Sequence, residues 1–98
     1  MKKLENKTAI VTGAASGMGL AIAKLFAQEG ANVVAADLNQ ADIDKVVSEI
    51  TAAGGKALGV VCNVANENEV KNLIDTAVKK FNTLDVLINN AGVMDDFV

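Results

Sequence analysis

The sequence contains no arginine, histidine, tyrosine, tryptophan or proline, and only one cysteine. Each absence narrows the function. Without histidine and with a lone Cys62, a protein-built zinc site lacks ligands, and a Ser-His-Asp or Cys-His nucleophile system is impossible within the chain. No metal site is therefore expected. One cysteine cannot close an internal disulfide, which fits a reducing cytoplasm. All 9 basic residues are lysines, so the side chain best suited to clamp a phosphate bidentately is missing. A net charge of −3 and a pI near 4.7 argue against a nucleic-acid-binding surface. No apolar run approaches the ~18 residues that span a bilayer. Met1-Lys2-Lys3 resembles the basic start of a signal peptide, but Leu4-Glu5-Asn6-Lys7 interrupts it and the next apolar run covers only Ala9 to Val11. A cytosolic protein with no membrane partner is expected.

What remains is a short apolar chain. Its 98 residues, 51% hydrophobic, suffice for one small domain and exclude intrinsic disorder. A domain of this size buries roughly 65% of its unfolded surface. Short β-branched runs alternate with longer runs of helical period. Thr8–Thr12, Asn32–Ala36, Ala57–Cys62 and Leu84–Asn89 read as strands, apolar on both faces, as expected for strands lying between helix layers.

Three helices separate them. The first, Gly17 to Glu29, carries Met18, Ile22, Leu25 and Phe26 as its apolar stripe, with alanines allowing close packing elsewhere, and Gly30 is placed to end it in a left-handed conformation. The second, Gln40 to Ala53, repeats Ile43, Val46, Val47 and Ile50 at helical spacing and stops at Gly54-Gly55. The third, Glu67 to Phe81, matches the helical template through Val70, Leu73, Ile74, Ala77, Val78 and Phe81. Asn66 with Glu69 reads as a capping box with a reciprocal partner. Lys79 and Lys80 suit the negative end of that helix. The order βαβαβαβ demands parallel strands joined by right-handed crossovers: a doubly wound, Rossmann-like open α/β sheet with strand order 3-2-1-4.

Between the first strand and first helix lies Thr12-Gly13-Ala14-Ala15-Ser16-Gly17-Met18-Gly19. A glycine-rich turn there exposes backbone N–H groups at a helix N-terminus, where the dipole favours an anion such as a pyrophosphate. Gly13 permits the sharp turn, Gly17 lets a ligand approach the backbone, and Gly19 lets the helix sit close to the sheet. The spacing is G-x-x-x-G-x-G, and no Gly-Lys-Ser/Thr follows, so this is not a triphosphate P-loop. A plain tight turn is the bland alternative. Asp37 ends the second strand 18 residues past Gly19, close to the ~20 expected of the acid that accepts from an adenosine ribose. Its bland alternative is a solvated strand end or a helix cap. On a ribose, Asp37 would repel a 2′-phosphate, which favours NAD over NADP.

These residues resemble the short-chain dehydrogenases/reductases. Thr12 to Gly19 is similar to that family's T-G-x-x-x-G-x-G, Asn89-Asn90-Ala91-Gly92 to its N-N-A-G segment, and Cys62-Asn63-Val64 to its adenine-contacting segment. The likeness runs over all 98 residues, with Met18 in place of the commoner isoleucine. It implies that Gly13, Ser16, Gly17, Met18 and Gly19 cradle the cofactor phosphates. Asp37 and Leu38 would hold the adenosine ribose, and Asn63 would meet the adenine N6 amine through its side-chain oxygen, beside Val64. Asn90, Ala91 and Gly92 would pass under the cofactor's ribose. Asn63 could instead cap the loop before the third helix, and Asn89 and Asn90 could simply satisfy backbone groups at the strand end. Cys62 reads as a small buried filler.

The family's hydride transfer between a nicotinamide and an alcohol or ketone uses a tyrosine, a lysine four residues on and an upstream serine. This chain has no tyrosine, and its serines are Ser16 and Ser48. No catalytic residue is therefore assigned. The expectation is the N-terminal, dinucleotide-binding half, residues 1–98, of a longer oxidoreductase, inactive alone. Its unpaired fourth strand should promote self-association, hence a homo-oligomer. A non-catalytic NAD- or adenosine-binding module is the alternative. A methyltransferase is disfavoured, because Thr12, not an acid, precedes Gly13.

Overall fold

A computed structural model describes residues 2–90. The elements follow in the order β1 (Thr8–Thr12), α1 (Gly17–Gln28), β2 (Asn32–Asp37), α2 (Gln40–Ala52), β3 (Lys56–Val61), α3 (Glu67–Phe81) and β4 (Val86–Asn89). All strand pairs are parallel, and the sheet order is β3-β2-β1-β4. The doubly wound arrangement expected from the element order is therefore present.

Alternation along β1 and β2 divides the core into two layers. Val11, Val33 and Ala35 face α1 and α2, where they meet Ala23, Ala27, Val46 and Ile50. Ile10, Val34 and Ala36 face the other way, towards Leu73 and Ala77 of α3. Every residue of β1 is buried. The outer strands differ from the expectation of full cover: β3 is only partly buried, and β4 alternates half-buried with exposed residues.

The stripe assigned to α1 is corrected by the structure. Met18 is 71% exposed and Leu25 53%, whereas Gly19, Ala23 and Ala27 are the buried positions. These small residues recur every fourth position and bring the helix backbone close to the sheet, which leaves the larger side chains at the flanks. Both α1 and α2 end in Schellman turns. Gly30 N donates to Ala27 O and Ala31 N to Phe26 O, while Gly54 N donates to Thr51 O and Gly55 N to Ile50 O. Helix α3 ends at Asn82, which takes the left-handed conformation itself at φ 67.

Other boundaries move as well: β2 runs one residue further, to Asp37, and α1 and α2 each end one residue earlier, at Gln28 and Ala52. β3 runs one residue earlier than expected, and β4 begins at Val86 rather than Leu84. The cause at β4 is Asp85. Its carboxylate Oδ2 accepts from Thr8 N at 2.9 Å, and its own N–H donates to Thr8 O at 2.9 Å. A side chain thus takes the place of a ladder bond at the mouth of the β1–β4 pair.

Candidate functional site

The carboxyl ends of β1, β2, β3 and β4 lie side by side, and the loops leaving the first three converge there. After β1 the chain turns through Gly13 at φ +63 and Gly17 at φ +57, both left-handed and both suited to glycine. A Cβ on Gly17 would meet nothing within 4 Å, so the chain itself leaves open space above that residue. Gly19 is the opposite case. A Cβ there would run into the Gly13 carbonyl and lie 2.8 Å from Nδ2 of Asn90. The expectation that Gly19 permits close packing holds, with the loop's own carbonyl as the nearest neighbour.

The three helices begin differently. Asn39 caps α2 by accepting from Asp42 N, and Asn66 caps α3 by accepting from Glu69 N. Both helices carry acids in their first turn. Helix α1 has neither: Ser16 occupies its N-cap with no side-chain cap bond, and its first turn holds no acid. Its first amides, those of Gly17, Met18 and Gly19, precede the first intrahelical bond, from Leu20 N to Ser16 O at 3.3 Å. A bare helix start with left-handed glycines beside it suits an anion that brings its own acceptor oxygens.

Asp37 joins three strands at this end. Its Oδ2 accepts from Ala15 N at 2.9 Å, its Oδ1 from Leu38 N at 2.7 Å, and its carbonyl from Cys62 N at 2.9 Å. The carboxylate is thereby held against the glycine loop and capped by the backbone of Leu38, whose side chain is 67% exposed. The helix-cap alternative for Asp37 does not apply, because Asn39 caps α2.

The β3–α3 loop is braced by Asn63. Its Oδ1 accepts from Ala65 N at 3.0 Å, and its N–H donates to Glu69 Oε1 at 2.8 Å. The reciprocal capping box expected at Asn66 is corrected here: Asn66 caps Glu69, but the Glu69 carboxylate serves Asn63 rather than Asn66. Val64 packs against the α3-side core. Cys62 is the buried filler expected of it, and burial, helped by the negative charge of Glu69, pushes its thiol up.

On the β4 side, the Thr12 hydroxyl donates to Asn89 Oδ1 at 3.1 Å, and Asn90 Nδ2 donates to Gly13 O at 3.4 Å. Asn89 and Asn90 both tie the end of β4 to the start of the glycine loop. Ala91 and Gly92, the remaining residues of that motif, lie outside the described residues. Sequence reasoning missed Asp85 and the Glu69–Asn63 brace. Their partners lie 77 and 6 residues away, outside any local periodicity.

A cleft of about 830 Å³ opens at the opposite end of the molecule, between the last turns of α1 and α2, lined by Lys24, Gln28, Glu49 and Gly54 among others. None of the motif residues borders it. A smaller hollow of about 120 Å³ lies beside the glycine loop, between Ala15, Leu20, Asp42 and Val46. No group of three or more potential metal ligands occurs among the described residues, and no helix there is long and apolar enough to cross a membrane.

Comparison with known proteins agrees with this geometry. Residues 7–98 match the family model for short chain dehydrogenases. The chain is 48% identical over 94 residues to tropinone reductase-like 2 of Erythroxylum coca, covering 96% of this chain and 33% of that protein. It is 43% identical to the 3-oxoacyl-[acyl-carrier-protein] reductase of Thermotoga maritima, covering 96% and 38%. Among solved structures, a hydroxysteroid dehydrogenase from Escherichia coli superposes with a TM-score of 0.89 at 43% identity, covering 92% of this chain and 37% of that one. A 7α-hydroxysteroid dehydrogenase complexed with NADH and 7-oxo glycochenodeoxycholic acid gives 0.85 at 41% identity, over 87% and 33%. The chain thus spans between a third and two fifths of the length of these relatives. With the family model matched over nearly all of its length, the chain belongs to the short-chain dehydrogenase family.

Proposed function

We propose that this chain binds NAD at the carboxyl end of its sheet and supplies the cofactor half of an oxidoreductase that moves a hydride between NAD and an alcohol or ketone. The observation that carries the reading is the start of α1: uncapped, free of acid, and flanked by left-handed Gly13 and Gly17. Gly13, Ser16, Gly17, Met18 and Gly19 take the diphosphate, Asp37 and Leu38 the adenosine ribose, and Asn63 and Val64 the base. Asn90, Ala91 and Gly92 line the path towards the nicotinamide. The cofactor supplies the hydride chemistry, and the chain's own residues bind and orient it. A relative holding NADH supports the cofactor class.

Asp37 makes NAD the preferred form. A 2′-phosphate on the ribose would face its carboxylate, and two unit charges 4 Å apart repel by about 4 kcal/mol at an effective dielectric of 20. The sequence offers no arginine to offset this. The chain also lacks a tyrosine, so the proton transfer that the family assigns to that residue is not available within these 98 residues, and we assign them binding without turnover. We place the protein in the cytoplasm, with a small alcohol or ketone as substrate of the whole enzyme and a second copy of the chain as partner.

Calorimetric titration with NAD and NADP tests the reading. Binding of NAD with NADP at least about tenfold weaker is expected, a discount of 1.4 kcal/mol. Equal affinity for both would overturn the role of Asp37, and binding of neither would overturn the reading.

A further inference from the structure

This inference rests on the dinucleotide reading and concerns the one readily oxidised side chain of the glycine loop. Met18 stands in the first turn of α1, between Gly17 and Gly19. It is 71% exposed and belongs to neither core layer. A thioether left in solvent is open to peroxide, which converts it to the sulfoxide. Cys62 is the opposite case. It is 2% exposed, and burial pushes its thiol up, so little of the reactive thiolate forms.

The consequence follows from where the new oxygen sits. Helix α2 holds Asp42 in its first turn, and α3 holds Glu67 and Glu69. Helix α1 holds no acid there, and Ser16 makes no side-chain cap bond. The amides of Gly17, Met18 and Gly19 are thus left for oxygens that a ligand brings. In a methionine sulfoxide the oxygen is bonded to Sδ, as many bonds from the backbone as the Oε of a glutamate. Oxidation therefore places an acceptor in the first turn of α1, which has none. Open space lies over Gly17, where a Cβ would meet nothing within 4 Å. The oxygen is the negative end of the S–O dipole, so the amides and helix dipole that draw a diphosphate draw it too. We propose that Met18 is an oxidation site whose sulfoxide competes with the diphosphate for the start of α1 and so weakens NAD binding. In the step, the thioether sulfur attacks one oxygen of hydrogen peroxide. An S–O bond forms and the O–O bond breaks. The proton on the transferred oxygen passes to the departing hydroxide, which leaves as water, and the sulfur is oxidised by two electrons. A thiol-dependent sulfoxide reductase reverses the change.

The test treats the chain with hydrogen peroxide, locates the oxidised residues by peptide mass spectrometry, and measures NAD affinity by calorimetry before and after. Met18→Leu is treated in parallel, and each protein is compared only with its own untreated form. Thermal unfolding checks that both stay folded. Met18 should gain one oxygen while Cys62 remains a thiol. Wild-type NAD binding should then weaken at least about tenfold, the worth of one hydrogen bond to a charged group. Sulfoxide reductase should restore it, and Met18→Leu should keep its own affinity through the treatment. Met18→Gln carries an amide oxygen at the same reach without any oxidant and should bind NAD more weakly than Met18→Leu. A Met18 that stays reduced, an oxidised wild type that keeps its affinity, or an equal loss in Met18→Leu overturns the proposal. Should the variants fail to fold, recovery of the wild type by the reductase decides alone. An untreated chain that binds no NAD overturns the NAD reading and this inference together, whereas NAD binding that survives oxidation of Met18 overturns only the inference.

Discussion

A Cβ on Gly19 would land on the carbonyl oxygen of Gly13 and crowd Nδ2 of Asn90, which itself donates to that oxygen. Three parts of the chain, the loop, the first turn of α1 and the end of β4, therefore meet around one carbonyl. Gly19→Ala must displace backbone, and we expect it to cost about 3 kcal/mol, the upper end for overpacking. Gly17→Ala meets no atom and should cost only the left-handed penalty of about 1–2 kcal/mol, while still weakening NAD binding by filling the open approach. Chemical denaturation of the two variants, paired with NAD titration, separates the two roles.

Asp85 fixes the register of β1 against β4 through Thr8, which is fully buried. Asp85→Ala leaves the Thr8 N–H without its acceptor, at a cost of about 2 kcal/mol for a bond to a charged group. Asp85→Asn keeps an acceptor oxygen and should recover at least half of that loss. The denaturation midpoints of the two variants, ranked against wild type, check this.

The Lys24 ammonium lies 2.7 Å from Glu49 Oε1 and joins α1 to α2. That hydrogen bond, and then the charge of Lys24, lower the Glu49 pKa below its ordinary 4.5. A depressed carboxylate pKa contributes stability that is present above the unfolded value and lost as pH falls through the folded one. The advantage of wild type over Glu49→Gln should therefore be constant above pH 4.5, decline below it and vanish once Glu49 is protonated. Because the pair is exposed, high salt should shrink the advantage at neutral pH too. Thermal melts of both proteins across pH and salt give the answer.

Among the described residues β4 pairs only with β1, and its Leu87 is 48% exposed. An apolar strand with an unpaired edge is a template for another chain. We expect the 98-residue chain to self-associate at tens of micromolar in sedimentation, and Leu87→Lys to shift it towards monomer.

How much of this was legible depended on whether the signal was local. Thr8–Thr12 and Glu67–Phe81 were delimited correctly because β-branched density and helical period both lie within the segment. The stripe of α1 was misread because hydropathy ranks Met18 and Leu25 above Gly19 and Ala23. The packed face is instead the small-residue row Gly19, Ala23 and Ala27, which hydropathy does not rank above its bulkier neighbours. The glycine loop and Asp37 were visible from spacing. Their mutual contact, Ala15 N to the Asp37 carboxylate, was not, nor was the diversion of the Glu69 carboxylate to Asn63. Such bonds depend on how crossovers return the chain, which only the assembled sheet determines.

The most direct test of dinucleotide binding at the start of α1 is a nuclear magnetic resonance titration of the isotope-labelled chain with NAD, followed amide by amide. The largest shifts should fall on Gly17, Met18 and Gly19, with Ala15 and Leu38 following as Asp37 engages the ribose. Shifts confined to the far cleft around Lys24, Gln28 and Gly54, with the loop amides unmoved, would contradict the account.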